Sequence, residues 1–221
     1  MKRIKLHDRK LPSYSLAEEL VNAISHGVGG LFGILVCFLC IGKTWGNSFA
    51  FAGSVLYGLS MILLYTMSTL YHSLIPGISK KVFQIIDHCT IYVLIAGTYT
   101  PILLEVFVPA VPLVGWGLLV LQWGVSALAI TLNAIDLKKY RIFSYSAYII
   151  LGWAILPFWS LGVSLMGMQG MGYLLLGGIS YTIGAVLYGI GSKRPWFHSV
   201  FHIFVVLGSI LQFVAIYDYV L

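Results

Sequence analysis

Residues Phe49 to Tyr71 read FAFAGSVLYGLSMILLYTMSTLY, a run without one charged side chain. Wound as an α-helix at about 1.5 Å per residue, it reaches about 35 Å, enough to cross the roughly 30 Å hydrocarbon core of a bilayer. Outward from this run lie six more of similar length, separated by charges, prolines or glycine clusters. They fall near Glu19 to Ile41, Val82 to Leu104, Val111 to Leu132, Ile142 to Val163, Gly170 to Ile190 and Trp196 to Val220. A membrane β-barrel is excluded, because its strands would be short segments of alternating polarity. The pattern predicts an all-α membrane protein, a seven-transmembrane helix bundle forming one domain over 19–221 behind a cytoplasmic N-terminal tail over 1–18. The loops are too short for a separate soluble domain.

Composition excludes the other classes. The chain of 221 residues is 59% apolar and 9% charged, with a mean hydropathy of +0.94, against roughly a quarter charged residues in a soluble domain. Disordered, collagen-like and nucleic-acid-binding chains need a polar or basic surface that this composition cannot supply. Cys37, Cys40 and Cys89 sit inside apolar runs and read as small hydrophobes, not as a disulfide framework. The first 18 residues are polar and basic, so no cleavable signal peptide is expected and the first helix should remain in the mature protein.

The 13 Lys and Arg residues are distributed unevenly. Lys2, Arg3, Lys5, Arg9 and Lys10 precede the first run, and Lys80 and Lys81 separate the second from the third. Lys138, Lys139 and Arg141 lie between the fourth and fifth, Lys193 and Arg194 between the sixth and seventh. Only Lys43 falls in an alternate loop. With seven spans the positive-inside rule places the N-terminus in the cytoplasm and the C-terminus outside, and an even number would break the asymmetry. The net charge of +6 then reads as attraction to anionic inner-leaflet lipids. The glycines of Gly27 to Gly33 and Gly177 to Gly191 predict close helix approach, and Pro101 and Pro157 mark kinks or ends.

Ionisable groups within a membrane helix are costly, so they tend to face the interior, pair and mark function. Here they are Glu18, Glu19 and His26 in the first span, His72 ending the second, Asp87 and His88 opening the third, and His198 and His202 opening the seventh. On the topology above, all lie near cytoplasmic ends. His198 and His202, four apart, share one helix face as two ligands of one metal would, and Pro195 suits a first helical turn. Ser68 and His72 are also four apart, which puts a hydroxyl one turn deeper than the imidazole. Asp87 lies about one turn into its span, at matching depth. Three neutral imidazoles with one open position make the arrangement of catalytic zinc, with a carboxylate nearby to hold or deprotonate a water. No cysteine or all-carboxylate set is present, which disfavours structural zinc, magnesium and calcium.

Each residue also has a plainer reading. Two histidines four apart are commonly interfacial side chains; the addition of His72, Asp87 and Ser68 favours a metal, since burying several uncompensated polar groups is expensive. His26 reads either as a packed histidine bonded to a neighbour or, in register with Glu19 and Asn22, as support behind the ligands, the role assigned to all three. His88 points about 100° away from Asp87 and His7 lies in the tail, so both are set aside. Aromatics near run ends, such as Trp45, Trp116 and Trp196, read as interfacial belts. Thr98 to Pro101 read as helix packing before cavity lining.

Taken together and in order, five segments resemble the bacterial hemolysin III family, the prokaryotic branch of the progestin and adipoQ receptor family, within a superfamily that includes alkaline ceramidases. They are Glu19-x-x-Asn22-x-x-x-His26-Gly27, Ser68-Thr69-Leu70-Tyr71-His72, Asp87-His88-Cys89-x-Ile91-Tyr92, Ala96-Gly97-Thr98-Tyr99-Thr100-Pro101 and His198-x-x-x-His202. The resemblance runs from Glu18 to Tyr217. It implies a seven-helix bundle with the N-terminus inside, opposite to G-protein-coupled receptors, and zinc (Zn2+) held by His72, His198 and His202. It also implies that Asp87 contacts the zinc-bound water and that Ser68 orients or polarises nearby groups. The ceramidases hydrolyse a lipid amide at such a site. A multi-pass location in the bacterial plasma (inner) membrane is expected with it.

The leading expectation is therefore a zinc-dependent hydrolase of a lipid amide or ester bond, with Asp87 as general base and Ser68 as donor to the developing oxyanion. Its partner would be a membrane lipid or lipid-like substrate arriving from the bilayer, with no role for nucleic acid. One alternative is a receptor-like regulator of membrane state, in which zinc ties the second and seventh spans together. Another is a cytolytic hemolysin, against which stands the lack of an amphipathic secreted segment.

Overall fold

The computed structural model describes residues 5–191 and 194–221. Lys2, Arg3 and Lys193, which entered the charge asymmetry, lie outside the described residues. All regular structure among the described residues is helical. Six stretches are long and apolar enough to cross a membrane. Helix α1 spans Leu16–Thr44, α2 Ser48–Ser73, α3 Ile78–Ile102, α4 Pro112–Asp136, α5 Arg141–Gly152, α6 Trp159–Gly191 and α7 Phe197–Tyr219. The helix starts carry local signals: Ser15 and Glu18 close a capping box on α1, Asn47 caps α2, and Pro112 occupies the first turn of α4.

The surface is inverted relative to a soluble protein. On α1, Leu16, Ile24, Leu31 and Phe38 are largely exposed, while Glu18, Asn22 and His26 are buried on the opposite face. Apolar side chains outside and polar ones inside suit a hydrocarbon solvent, where every polar group must find its partner within the protein. Cys37, Cys40 and Cys89 are free thiols.

Contacts fix the direction of each helix. Glu19 meets His72, Gly29 meets Tyr65 and Gly33 meets Met61, so α1 and α2 are antiparallel. A Cβ at Gly29 would sit 2.6 Å from the Tyr65 ring, the close approach for which small residues are needed. Ser126 bonds Tyr92 and Trp123 bonds Thr100, which sets α4 antiparallel to α3. Glu18 meets Trp196, His26 stacks on His202, Phe32 meets Phe213 and Lys43 meets Tyr217. The first and last helices therefore run side by side in the same direction.

The apolar stretch Arg141–Ile190 is 50 residues long and folds back on itself. Tyr145 faces Tyr188, Trp153 bonds Thr182 and Gly162 abuts Met171, a set of pairings that only an antiparallel hairpin gives. The turn is Gly167, at φ 74° and ψ 165°, a backbone conformation that disfavours a Cβ. The run expected as one helix from Ile142 to Val163 is broken: α5 stops at Gly152, and a 3-10 turn over Leu156–Phe158 carries Pro157 before α6 begins. Neighbours supply the hydrogen bonds that the break loses. Gln122 Nε2 donates to Leu151 O at 2.9 Å, the Tyr99 hydroxyl donates to Gly152 O at 2.9 Å, and Ile155 N donates back to Tyr99 Oη at 3.3 Å. Irregular backbone at this depth is tolerable only with such partners. Pro101, by contrast, stays inside α3, and the helix widens just after it into a π turn over Leu103–Phe107.

Candidate metal centre

Two helix ends carry the three histidines. The last turn of α2 brings His72, and the first two turns of α7 bring His198 and His202. His198 Nε2 lies 3.2 Å from His72 Nε2 and 3.0 Å from His202 Nε2, and all three ligand atoms fall within 4.8 Å of one another. A tetrahedral ion with metal–nitrogen bonds of about 2.0–2.1 Å has nitrogen–nitrogen edges of about 3.3 Å. The two short separations fit that edge.

The tautomer of His72 follows from its surroundings. Its Nδ1 is 2.6 Å from Glu19 Oε2, so the single proton of a neutral imidazole sits on Nδ1 and the Nε2 lone pair points at the other two rings. The second oxygen of Glu19 accepts from Lys80 Nζ at 2.7 Å, and Lys80 also donates to Leu74 O at 2.8 Å, capping the end of α2. Lys80 reads in the sequence as one more positive-inside residue; here it is only 3% exposed. Asn22 Nδ2 lies 3.4 Å from the same His72 nitrogen. His198 Nδ1 and His202 Nδ1 are buried without hydrogen-bond partners.

Of the residues expected behind the ligands, Glu19 and Asn22 reach His72, while His26 does something different. Its ring stacks on His202 with centroids 3.7 Å apart and meets Tyr65 edge-on at 5.0 Å, and neither of its nitrogens has a partner. It supports His202 by packing. Asp87 and Ser68 lie outside the three-histidine group; both line the cavity onto which His198 and His202 open, where Ser68 faces the Asp87 carboxyl.

That cavity, about 180 Å³, is mostly apolar. Its wall follows α3 from Asp87 to Ile102 and α7 from His198 to Gln212, about 20 Å along each axis at 1.5 Å per residue. This exceeds the ~15 Å that one leaflet contributes to the hydrocarbon core. Thr98 and Tyr99 line it as well as packing.

Two aromatic groups and one histidine escape sequence reasoning. Tyr14 stacks on His198 with centroids 4.8 Å apart and planes 14° apart, and its ring lies 5.9 Å from that of His72. Burial, reinforced by the charges of Glu19 and Asp87, pushes its phenol well above the usual range, so it remains neutral. Tyr188 flanks His198 from the other side at 5.3 Å. His88, set aside by its angle from Asp87, lines the cavity too, where Tyr188 meets its ring at 6.2 Å and the Tyr148 hydroxyl donates to its carbonyl.

Fold and site together define a helical membrane protein with three histidines, two of them buried and His198 partly so, placed to hold one metal ion. The chain belongs to the haemolysin-III related family, whose model matches residues 14–213. It is 38% identical over 209 residues to the "Hemolysin-3 homolog" of Bacillus subtilis (strain 168), covering 93% of this chain and 96% of that protein. It is 39% identical over 210 residues to "Hemolysin-3" of Bacillus cereus, covering 92% of each. A more distant similarity, 24% over 172 residues, reaches the human "Monocyte to macrophage differentiation factor", with 74% of this chain and 68% of that one covered.

Proposed function

We propose that the protein is a zinc-dependent hydrolase of a lipid amide or ester bond, working at the cytoplasmic end of a seven-span bundle in the bacterial plasma membrane. The observation that carries this reading is the meeting of three convergent imidazoles with one carboxylate and one hydroxyl at the head of an elongated apolar cavity. Zinc suits the donor set, since neutral imidazoles without thiolate or carboxylate ligands favour it over magnesium or calcium. Bound by His72, His198 and His202, the ion would supply Lewis acidity and a more acidic water. Asp87 then takes the proton of the attacking nucleophile as general base and returns it to the leaving group. Ser68, whose hydroxyl faces the Asp87 carboxyl, donates to the developing oxyanion. Glu19, held by Lys80, keeps His72 in its ligating tautomer. The apolar cavity receives the acyl chain and excludes water from the bond to be cut.

The topology is part of the reading. Parallel first and last helices favour an odd number of crossings, and the hairpin at Gly167 within one of the six apolar stretches supports counting seven. The tail over 1–18 is cytoplasmic, the domain over 19–221 lies in the membrane, and the C-terminus is outside.

Elemental analysis of detergent-purified protein beside His202→Ala tests the metal: about one zinc per chain, lost in the variant, is expected. A lipid amidase and esterase screen with Asp87→Asn as control tests the chemistry. A second reading, a receptor-like regulator with structural zinc, is favoured by Tyr14, whose ring covers one side of His198. Full function of Asp87→Asn with zinc retained would select it. The name of the Bacillus relatives implies cytolysis, but the outward apolar faces of this chain fit residence in its own membrane. Lysis by purified, monodisperse protein supplied from outside would reverse that choice.

A further inference from the structure

The wall of the apolar cavity carries one polar pair well away from the histidines, Gln212 from α7 and Tyr181 from α6. Tyr181 bonds Ser209, which lies three residues before Gln212 and on the same face of α7. Ser209 and Gln212 stand seven and ten residues beyond His202, about 10–15 Å along the helix axis. Other polar groups of this wall are engaged by the protein itself. Thr98 Oγ1 donates to Leu94 O, Thr182 Oγ1 to Gly178 O and Tyr99 Oη to Gly152 O.

The pair differs, because each member holds one hydrogen-bonding group unused. Gln212 is 9% exposed, and its Nε2 donates to Leu174 O at 3.1 Å. The amide lies over Gly177, where a Cβ would stand 2.8 Å from it, so the bond ties α6 to α7. That tie needs only the donor. Among the described residues Oε1 accepts no hydrogen bond, a costly state for an amide oxygen in an apolar cavity. On the other member a proton is left over. Tyr65 Oη and Tyr181 Oη each lie 2.7 Å from Ser209 Oγ, and the one further acceptor of this group, Val205 O, is a distant 3.4 Å from Tyr65 Oη. Three hydroxyl protons therefore share two short contacts. Tyr65 and Ser209 are sealed inside the bundle, whereas Tyr181 lines the cavity. The arrangement that buries no unpaired proton has Tyr65 donate to Ser209 and Ser209 donate to Tyr181, which leaves the Tyr181 proton facing the cavity.

We infer that this pair binds a hydroxyl group carried midway along the chain that occupies the cavity. Tyr181 donates to the hydroxyl oxygen, and the hydroxyl donates to Gln212 Oε1. A plain hydrocarbon chain leaves both groups unpaired, and a carbonyl satisfies Tyr181 alone. A chain with its carboxyl at the histidines brings its middle carbons to this depth. That such a chain is the acyl part of a substrate rests on the hydrolase reading; the recognition of its hydroxyl does not.

The test uses full-length protein in neutral detergent and follows displacement of fluorescent cis-parinaric acid by stearate, 5-hydroxystearate and 10-hydroxystearate. The two hydroxylated acids partition into detergent alike, so a difference between them belongs to the protein. 10-Hydroxystearate is expected to compete about tenfold better than either of the others, as two added hydrogen bonds allow. Tyr181→Phe and Gln212→Met should each lose most of this preference. It is read as a ratio to stearate, so that a general loss of stability cancels, and Tyr181→Phe leaves the bond from Gln212 to Leu174 in place. Thr98→Val is the control and should keep the preference, because Thr98 lines the same wall with its hydroxyl engaged by Leu94 O. Equal competition by all three acids assigns the pair to a trapped water and overturns the proposal. A preference untouched in both variants, or no displacement by any acid, overturns it as well. Protein that shows the preference and hydrolyses no lipid counts against the hydrolase reading alone; active protein without the preference counts against this proposal alone.

Discussion

Glu19 grips His72 from behind: its carboxylate lies 2.6 Å from Nδ1, on the side of the ring away from the other two histidines. Replacing Glu19 by Gln keeps the size and removes the charge. Metal affinity is expected to fall about 10–100-fold, as read by competition with a chromogenic chelator. Lys80 would at the same time be left as an uncompensated buried cation, a loss of about 3–5 kcal/mol. Adding Lys80→Met should restore the thermal midpoint without restoring affinity, which separates the two roles of the carboxylate.

Tyr14 lies flat against His198. Tyr14→Ala should let a chelator strip the metal several-fold faster, while Tyr14→Phe, which keeps the ring, should behave as wild type. Stopped-flow release kinetics decide this, and equal rates for all three proteins would mean that the ring shields nothing.

Gln122 donates to the carbonyl of Leu151 where α5 ends. Gln122→Leu removes the shorter of the bonds to that carbonyl, which keeps only Ala154 N at 3.3 Å, and should destabilise the protein by about 0.5–1.5 kcal/mol. Tyr99→Phe, which removes the hydroxyl shared by Gly152 and Ile155, should cost a similar amount. Thermal unfolding in detergent checks both, with metal content expected to stay intact.

Metal removal should act on stability only through the histidines. Zinc at about 100 times its dissociation constant adds about 2.7 kcal/mol to the folded state, so chelation should lower the wild-type midpoint by the corresponding amount. His202→Ala should show a lower midpoint that neither zinc nor chelator moves.

Lys43 and Lys139 should lie on opposite faces of the membrane. In a variant lacking Cys37, Cys40 and Cys89, a cysteine at position 43 is expected to react with an impermeant maleimide in intact cells. A cysteine at 139 is expected to react only after permeabilisation. Labelling of both from outside would overturn the seven-crossing topology.

The sequence is legible where one helix at a time decides the matter. The apolar runs give α1 to α4 and α7 closely, and the spacing of His198 and His202 puts them on one face without help from any other segment. The break after Gly152 is illegible because its permission comes from Gln122 and Tyr99, on α4 and α3. Lys80 looks like a surface anchor until α1 supplies Glu19. Tyr14 lies in a polar tail with no periodicity from which to read a direction. The angle that sets His88 aside considers α3 alone, whereas Tyr145, Tyr148 and Tyr188 from later helices extend the cavity wall to it.

The parallel pairing of α1 with α7 has a temporal side. The chain is made from its N-terminus at about 5–20 residues per second, so roughly 6–26 seconds separate the synthesis of His72 from that of His202. During that interval Glu19, His72 and Lys80, all within the first three helices, can already join one another. Two of the three histidines of the candidate site arrive only with the final helix, which docks beside the first. A nascent chain thus carries a finished support behind His72 and an incomplete histidine group until its last helix has docked.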